Sequence, residues 1–177
     1  MSEQALVARF REGDAAERTA AFEEVHRRLG RGLESLCRRM LASRADAEDA
    51  LQETFLAIHR GLPRFRGEAK LSTWAYRIAV RTALQRRARA RRSPEEVLDF
   101  EPAGERADNV DERELARALD RAVAELRPSY RAVFSLSCDD ALSRKDVARI
   151  LGIPEGTVWT QLHRARKELA QRMKGWL

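Results

Sequence analysis

A single interruption of helical periodicity is the feature that most constrains the fold of this chain. Elsewhere in the 177 residues, apolar side chains recur at intervals of three and four, and prolines and glycines are sparse. That pattern predicts α-helices, and no stretch alternates as a strand would. Residues 93–110, SPEEVLDFEPAGERADNV, break the pattern with two prolines, a glycine and an excess of acids. The sequence therefore predicts an all-α chain of two small helical domains, residues 1–92 and 111–177, joined by a flexible acidic linker, residues 93–110.

The first domain is predicted to contain long amphipathic helices. Residues 14–41 are predicted as one helix or as a helix pair broken near Gly30 and Gly32. The next helix, in SRADAEDALQETFLAIHRGL, begins with Ser43 or Asp46 as its cap. Its apolar stripe consists of Ala47, Leu51, Phe55, Ile58 and Leu62, and its opposite, acidic face consists of Asp46, Asp49 and Glu53 with Gln52 beside them. After the loop LPRFRGEAK, Ser72 is predicted to cap a further helix.

That further helix lies in the stretch LSTWAYRIAVRTALQRRARARR, residues 71–92, which carries seven arginines and no acid. The net charge of +6 favours an anionic partner. Trp74, Ile78, Arg81 and Gln85 share one side of this helix, a mixture that suits single-stranded nucleic acid, because aromatic rings stack on bases while guanidinium groups bind phosphates. The alternatives are a solvated basic helix end and aromatic side chains that belong to the core.

The second domain is predicted to end in a helix-turn-helix. A helix over 111–126 ends at Arg127-Pro128, and a second covers 129–138. Ser143 and Asp146 form a capping pair, Gly152 ends that short helix, and Pro154 starts the last one. Ala148, Gly152 and Val158 have the spacing at which two short helices cross closely. An ordinary helical hairpin is the alternative; DNA binding is favoured by the polar and cationic side chains of the last helix, Thr160, Gln161, His163, Arg164, Arg166 and Lys167.

Catalysis and metal binding find little support in the sequence. His26, His59 and His163 lie apart from any cysteine or carboxylate motif, and no phosphate-binding glycine loop occurs. We therefore predict that the chain is not an enzyme and uses no metal or cofactor. Cys37 and Cys138 are predicted to be small core residues in a reducing compartment. With no signal-peptide or membrane-spanning stretch, the chain is predicted to be soluble and cytoplasmic, without membrane insertion.

Four motifs together resemble a known family. They are DAEDALQETFLAIHR, FRGEAKLSTWAYRIAVRTAL, LRPSYRAVF and LSRKDVARILGIPEGTVWTQLHRARKELA. In order and spacing they are similar to the extracytoplasmic-function (ECF, group IV) sigma factors of the sigma-70 family, over nearly the whole chain. The resemblance implies an alternative sigma factor, which binds bacterial core RNA polymerase, directs it to specific promoters and nucleates promoter melting.

The resemblance also implies partners and site residues. The acidic helix would dock on the β′ coiled coil of core polymerase, with the β subunit as a second contact, through Asp46, Asp49, Gln52 and Glu53. The next loop and helix would recognise and open the −10 element, binding its single non-template strand with a flipped-out base, through Phe65, Arg66, Lys70, Thr73, Trp74, Arg77, Arg81, Arg86 and Arg87. The helix-turn-helix would bind the −35 duplex in the major groove through Trp159, Thr160, Gln161, His163, Arg164, Arg166 and Lys167.

The chain departs from the family at several of these positions. Arg81 stands where the family commonly has asparagine, and Trp159-Thr160-Gln161 replaces a basic-Ser-Arg triplet, so no −35 sequence is carried over. Two other functions stay open: a free-standing helix-turn-helix regulator of duplex DNA and, less favoured, an enzyme acting on RNA. The resemblance leaves open whether an anti-sigma factor restrains the chain.

Overall fold

A computed structural model describes residues 2–90 and 110–176, and within these ranges every regular element is a helix, which confirms the all-α prediction. The elements are α1 (Glu3–Glu12), α2 (Ala15–Met40), α3 (Arg44–Gly61), a 3₁₀ turn (Leu62–Arg64), α4 (Leu71–Ala90), α5 (Val110–Glu125), α6 (Pro128–Ser137), α7 (Arg144–Leu151) and α8 (Glu155–Arg172). The predicted linker lies outside the described residues except for Val110, its last residue, which begins α5.

Helices α1 to α4 form one bundle around a common core. The predicted apolar stripe of α3 faces inward: Phe55, Ile58 and Leu62 are buried, and Leu51 is half-buried. α1 was not predicted as a separate helix; it packs Leu6 and Phe10 into the same core. Burying these side chains supplies the main stabilisation of the bundle, because each removes apolar surface from water.

Of the two alternatives for residues 14–41, the single helix is confirmed and the break near Gly30 and Gly32 is not found, because α2 runs unbroken from Ala15 to Met40. Gly32 instead allows α2 and α4 to approach each other closely. A β-carbon at this position would overlap the hydroxyl of Tyr76 on α4. The close packing of α2 on α4 thus requires a residue without a side chain, and this packing compensates for the low helix propensity of glycine.

Two predicted helix starts have different outcomes. Ser43 caps α3, its hydroxyl accepting from the Asp46 N–H at 3.3 Å. Ser72, however, is not the cap of α4, which already begins at Leu71. There the Glu3 carboxylate of α1 accepts from the Leu71 N–H at 2.9 Å. An anion at a helix N-terminus is stabilised by the helix dipole, so a residue 68 positions away supplies what Ser72 was predicted to supply.

The last two helices form the predicted helix-turn-helix. Ser143 and Asp146 make both bonds of a capping box at the start of α7. α7 ends at Gly152, whose φ of 67° lies in the left-handed region that glycine adopts without strain. Pro154 precedes the first residue of α8, and Ala148 and Val158 are buried where the two helices cross. α5, α6 and α8 enclose a second, smaller core that includes Val123, Leu126 and Leu169.

The C-terminal helices pack against the N-terminal bundle, α6 on α2 and α7 on α4, so the larger core includes residues from both. Tyr76 donates a hydrogen bond to Asp139, and burial together with this bond raises the tyrosine pKa. Arg131, only 2% exposed, donates to the Met40 carbonyl at 3.0 Å and to the Val123 carbonyl at 2.8 Å. Cationic donors at the C-terminus of α2 suit the negative end of its dipole.

Candidate protein and nucleic-acid interfaces

The acidic face of α3 is organised by an arginine from α4. Arg86 lies 3.2 Å from Asp46, 3.3 Å from Asp49 and 2.8 Å from Glu53. The hydrogen bond to Glu53 is the main reason that the pKa of Arg86 is raised. Three carboxylates against one guanidinium leave the cluster negative, and the ion pairs fix the rotamers of side chains that are still partly exposed. The cluster is therefore a preorganised anionic surface.

This arrangement changes the interpretation of Arg86, which the resemblance assigned to the −10 strand. Its guanidinium is engaged by the acidic face, so the residue is positioned to support α3 rather than to bind phosphate. The ion pairs join positions 33 and 40 residues apart, which no helical wheel displays.

Leu56 belongs to the same face and was missed by the sequence analysis. It follows Gln52 and Glu53 by one turn of α3 and is 56% exposed. The apolar stripe was assigned by periodicity, and Leu56 falls outside that stripe, which is the signal that could have identified it. The face of α3 thus combines carboxylates, the exposed amide of Gln52 and one apolar contact.

The aromatic part of the predicted strand-binding surface is a packed pair. The rings of Phe65 and Trp74 are 5.1 Å apart at an angle of 47°, and both side chains are half-buried. A β-carbon at Gly61 would lie 2.7 Å from the Trp74 indole, so α3 ends in the residue that admits this ring. Trp74 therefore contributes to packing and still presents part of its ring at the surface.

The four cations around this pair are all exposed but have different contacts. Arg66 lies 3.9 Å from Glu68 of its own loop. Arg77 donates to the Arg149 carbonyl of α7 at 2.6 Å, and Lys70 lies 3.7 Å from Asp146 of the same helix. A cavity of 550 Å³ opens between α1, the loop 65–70 and Arg149. The structure thus brings α7 over part of the predicted −10 surface.

Thr73 is the most buried of the residues predicted to bind the −10 strand, with 1% of its surface exposed. Arg87 is half-buried, as Phe65, Trp74 and Arg86 are. Thr73 lies among the buried residues of α4, with Leu71 and Ala75 beside it in the core. In this arrangement of the chain Thr73 supports the helix from inside.

The predicted DNA-binding residues of α8 mostly share one exposed face. Trp159, His163 and Lys167 follow one another at four-residue intervals, and the indole and imidazole rings are stacked. The Thr160 hydroxyl donates to the Gly156 carbonyl at 3.0 Å. Arg164 approaches the Tyr130 hydroxyl at 3.4 Å, which raises the arginine pKa, and Arg166 is exposed. Gln161 is half-buried and lies on the other side of the helix.

His26 and His59 enter packing contacts. His26 stacks on Phe55, and His59 meets Phe10 edge-on. Burial, with the nearby carboxylate of Glu34, raises the pKa of Cys37 to about 12. Cys37 is buried as predicted, whereas Cys138 is exposed, which contradicts its prediction as a core residue. Across residues 2–90 and 110–176, no group of three His, Cys, Asp or Glu side chains could bind a metal ion.

Comparison with known proteins shows the family of the chain. Two family models match the chain: Sigma-70 region 2 over residues 25–93 and Sigma-70, region 4 over residues 116–169. The ECF RNA polymerase sigma factor SigM of Mycobacterium tuberculosis is 39% identical over 158 residues, which cover 89% of this chain and 79% of SigM. The chain belongs to the ECF RNA polymerase sigma factors. The ECF sigma-E factor of Escherichia coli is 32% identical, with 98% of this chain and 95% of that protein aligned.

Solved structures of low identity show the same fold. CnrH, determined in complex with the cytosolic domain of CnrY, superposes with a TM-score of 0.71 at 21% identity over 98% of this chain and 97% of CnrH. The sigma factor RpoE of Bartonella quintana, determined with the anti-sigma factor NepR, superposes with a TM-score of 0.69 at 23% identity over 86% of this chain and 96% of RpoE.

Family membership confirms the predicted function at the level of the whole chain: it is an alternative sigma factor that directs RNA polymerase. A free-standing helix-turn-helix regulator is not favoured, because a regulator would not carry the region 2 match over residues 25–93. Within the described residues, no helix is long and apolar enough to cross a membrane.

Proposed function

We propose that this sigma factor divides its work between its two regions. Residues 1–92 bind core polymerase and open the −10 element, and residues 111–177 bind the −35 duplex. The observation that carries the proposal is the pairing of two unlike surfaces on adjacent helices of one bundle. α3 presents an anionic face, and α4 follows it with the half-buried ring of Trp74 and with exposed cationic groups. A protein that only bound duplex DNA would have no use for the first surface.

The polymerase-binding face consists of Asp46, Asp49, Gln52 and Glu53, extended here by Leu56 one turn further along α3. A coiled coil of the β′ subunit with basic side chains around an apolar position would complement this surface in charge and shape. Arg86 contributes by holding the carboxylates in place, so fewer rotamers have to be immobilised on binding.

The −10 surface is proposed to comprise Phe65, Arg66, Trp74 and Arg81, joined by Lys70 and Arg77 once they leave α7. Flipping a base out of the duplex costs a few kcal/mol of stacking and pairing. A ring already held by Phe65 and Gly61 can recover part of that cost by stacking, and the guanidinium groups can bind the strand's phosphates. Melting can then begin without ATP hydrolysis, in keeping with a chain that is not an enzyme.

The −35 surface is the exposed face of α8, with Trp159, His163 and Arg164 toward the bases. Arg166 and Lys167 lie further along the helix, where phosphate contacts are expected. The interaction takes place in the cytoplasm, where the polymerase works.

DNA binding at both elements requires the two regions to separate. Arg77 donates one hydrogen bond to α7 and Lys70 lies near Asp146 of the same helix, so α7 lies beside these cations where a polynucleotide strand would approach them. Binding to the polymerase can compensate for the lost contacts between the regions, because the polymerase binds both regions at once. Once one region is bound, the other region has a high effective concentration at its own site. An anti-sigma factor that held the two regions together would oppose this separation. RpoE was crystallised with an anti-sigma factor.

Run-off transcription tests the proposal. Genomic fragments from the source organism are transcribed by purified core polymerase with and without the protein. We expect a small set of discrete transcripts that depend on the protein. If the protein alone bound duplex DNA specifically in a gel-shift assay and no new transcripts appeared, the result would contradict the proposal. It would favour a free-standing helix-turn-helix regulator instead.

A further inference from the structure

The −35 surface contains an aromatic pair whose exposure calls for a ligand. Trp159 is 57% exposed, and its indole lies almost parallel to the exposed His163 imidazole, with an angle of 9° and 5.7 Å between ring centroids. Stacking one turn apart on a helix restricts both side chains. A large, ordered apolar surface on the outside of a helix is typical of a binding site.

The surroundings of the pair favour DNA as the occupant. Arg166 and Lys167 are exposed on the same side of α8, and Arg164 borders it. A protein partner that covered the two rings would also have to desolvate or pair these cations. The major groove offers phosphates on both sides of a floor that carries apolar groups, which matches an aromatic pair flanked by cations.

The donors of this face are limited near its start. The Thr160 hydroxyl donates its proton to Gly156 and is left as an acceptor. The exposed rings of Trp159 and His163 consist mostly of carbon, with the indole N–H and the two imidazole nitrogens as their polar groups. Among base edges in the major groove, the methyl group of thymine is the apolar feature.

We propose that the Trp159–His163 pair recognises thymine methyl groups in the −35 element. This inference rests on the proposed binding of α8 to the −35 duplex. It assigns part of the sequence specificity to apolar contact, in a family position where the resemblance leads one to expect cations. Because a methyl contact releases no counterion, the preference for thymine should persist as the salt concentration rises.

Deoxyuridine provides the test, since it differs from thymidine by the missing methyl group and keeps every hydrogen-bonding atom of the base. Duplexes are first selected by the reconstituted holoenzyme from a pool randomised across the −35 region. Each thymine of the selected sequence is then replaced singly by deoxyuridine, and holoenzyme affinity is measured. We expect a loss of roughly fourfold at one or two positions, the amount expected for one buried methyl group.

The variant Trp159→Ala completes a double-mutant cycle between the indole ring and the thymine methyl group. It is expected to bind the thymine and deoxyuridine duplexes with equal affinity, while its circular dichroism and its polymerase binding match those of the wild type. A selected element without thymine, deoxyuridine substitutions that are all neutral for the wild type, or an undiminished deoxyuridine effect in Trp159→Ala would each overturn the inference.

A second variant separates this inference from the proposed function. Arg166→Ala with Lys167→Ala should weaken binding of both duplexes by the same factor and flatten the salt dependence. If this variant behaves so and deoxyuridine is neutral, α8 binds the −35 element without the thymine contact. If neither this variant nor Trp159→Ala changes binding, the −35 assignment of α8 fails as well.

Discussion

Trp74 serves both the packing of the N-terminal bundle and the proposed opening of the −10 element. Because its ring is half-buried against Phe65 and Gly61, we expect Trp74→Ala to lower the free energy of unfolding by about 2–3 kcal/mol. We also expect it to reduce open-complex formation, measured by permanganate reactivity of −10 thymines, more than closed-complex binding. Trp74→Phe retains an aromatic face and should keep most of both. Equal loss of open and closed complexes in Trp74→Ala would indicate a packing role alone.

Asp146 makes the stabilisation that the capping box of α7 provides dependent on pH. Its hydrogen bond from the Ser143 hydroxyl is the main cause that lowers the Asp146 pKa below its ordinary value. A carboxylate with a lowered native pKa stabilises the fold fully above its unfolded pKa and loses that contribution as the pH falls through the native pKa.

We therefore expect Asp146→Asn to be less stable than the wild type by about 1 kcal/mol at pH 7. Urea unfolding at pH 7, 5, 4 and 3 should show this difference shrinking below about pH 4, the ordinary range for aspartate. Lys70→Ala, which removes the nearby cation but not the cap, is the control. A difference that does not change with pH would contradict the role of the charged cap.

Local signals predict several elements of this fold. The capping box of α7 and the left-handed Gly152 depend on residues within one or two turns, so the sequence displays them. Pro128 was expected to end the preceding helix and is also the first residue of α6. The start of α4 and the ion pairs of Arg86 depend on residues 33 to 68 positions away, and no local pattern predicts them. The candidate site divides in the same way: motifs suggested its residues other than Leu56, whose roles stay predictions, but which of them α7 covers could not be predicted.

Helix α2 provides a matched pair of glycines at the element scale. A β-carbon at Gly30 would make ordinary contacts of 3.5 Å with His26, whereas one at Gly32 would overlap the Tyr76 hydroxyl. We expect Gly30→Ala to raise the free energy of unfolding by up to about 1 kcal/mol, the difference in helix propensity. Gly32→Ala should lower it, because α4 or α2 must shift. Urea unfolding of both variants measures this, and equal stabilisation would contradict the close approach.

The packing of the C-terminal helices on the N-terminal bundle is a property of the whole molecule. It should be present in the free protein and lost in the holoenzyme on promoter DNA. Fluorophores on cysteines introduced at the exposed positions Ala8 and Ala170, with Cys138→Ser, report the distance between the regions. Cys37 needs no replacement, because it is buried and its raised pKa of about 12 keeps it as an unreactive thiol.

We expect energy transfer between positions 8 and 170 to fall when the labelled protein forms an open complex. A pair within the C-terminal region, Ser129→Cys with Ala170→Cys, should give unchanged transfer and serves as the control. Unchanged transfer for the inter-region pair would mean that the −10 strand binds without displacement of α7.

Docking on core polymerase is the central claim, and the charge of the α3 face tests it most directly. Asp49→Arg with Glu53→Arg reverses two exposed carboxylates and places cations beside Arg86. Glu23→Arg, a charge reversal on the exposed surface of α2, is the control. The account predicts that the double variant keeps the helical circular dichroism of the wild type but no longer co-purifies with core polymerase. Glu23→Arg is predicted to co-purify as the wild type does. Co-purification of the folded double variant at wild-type level would contradict the account.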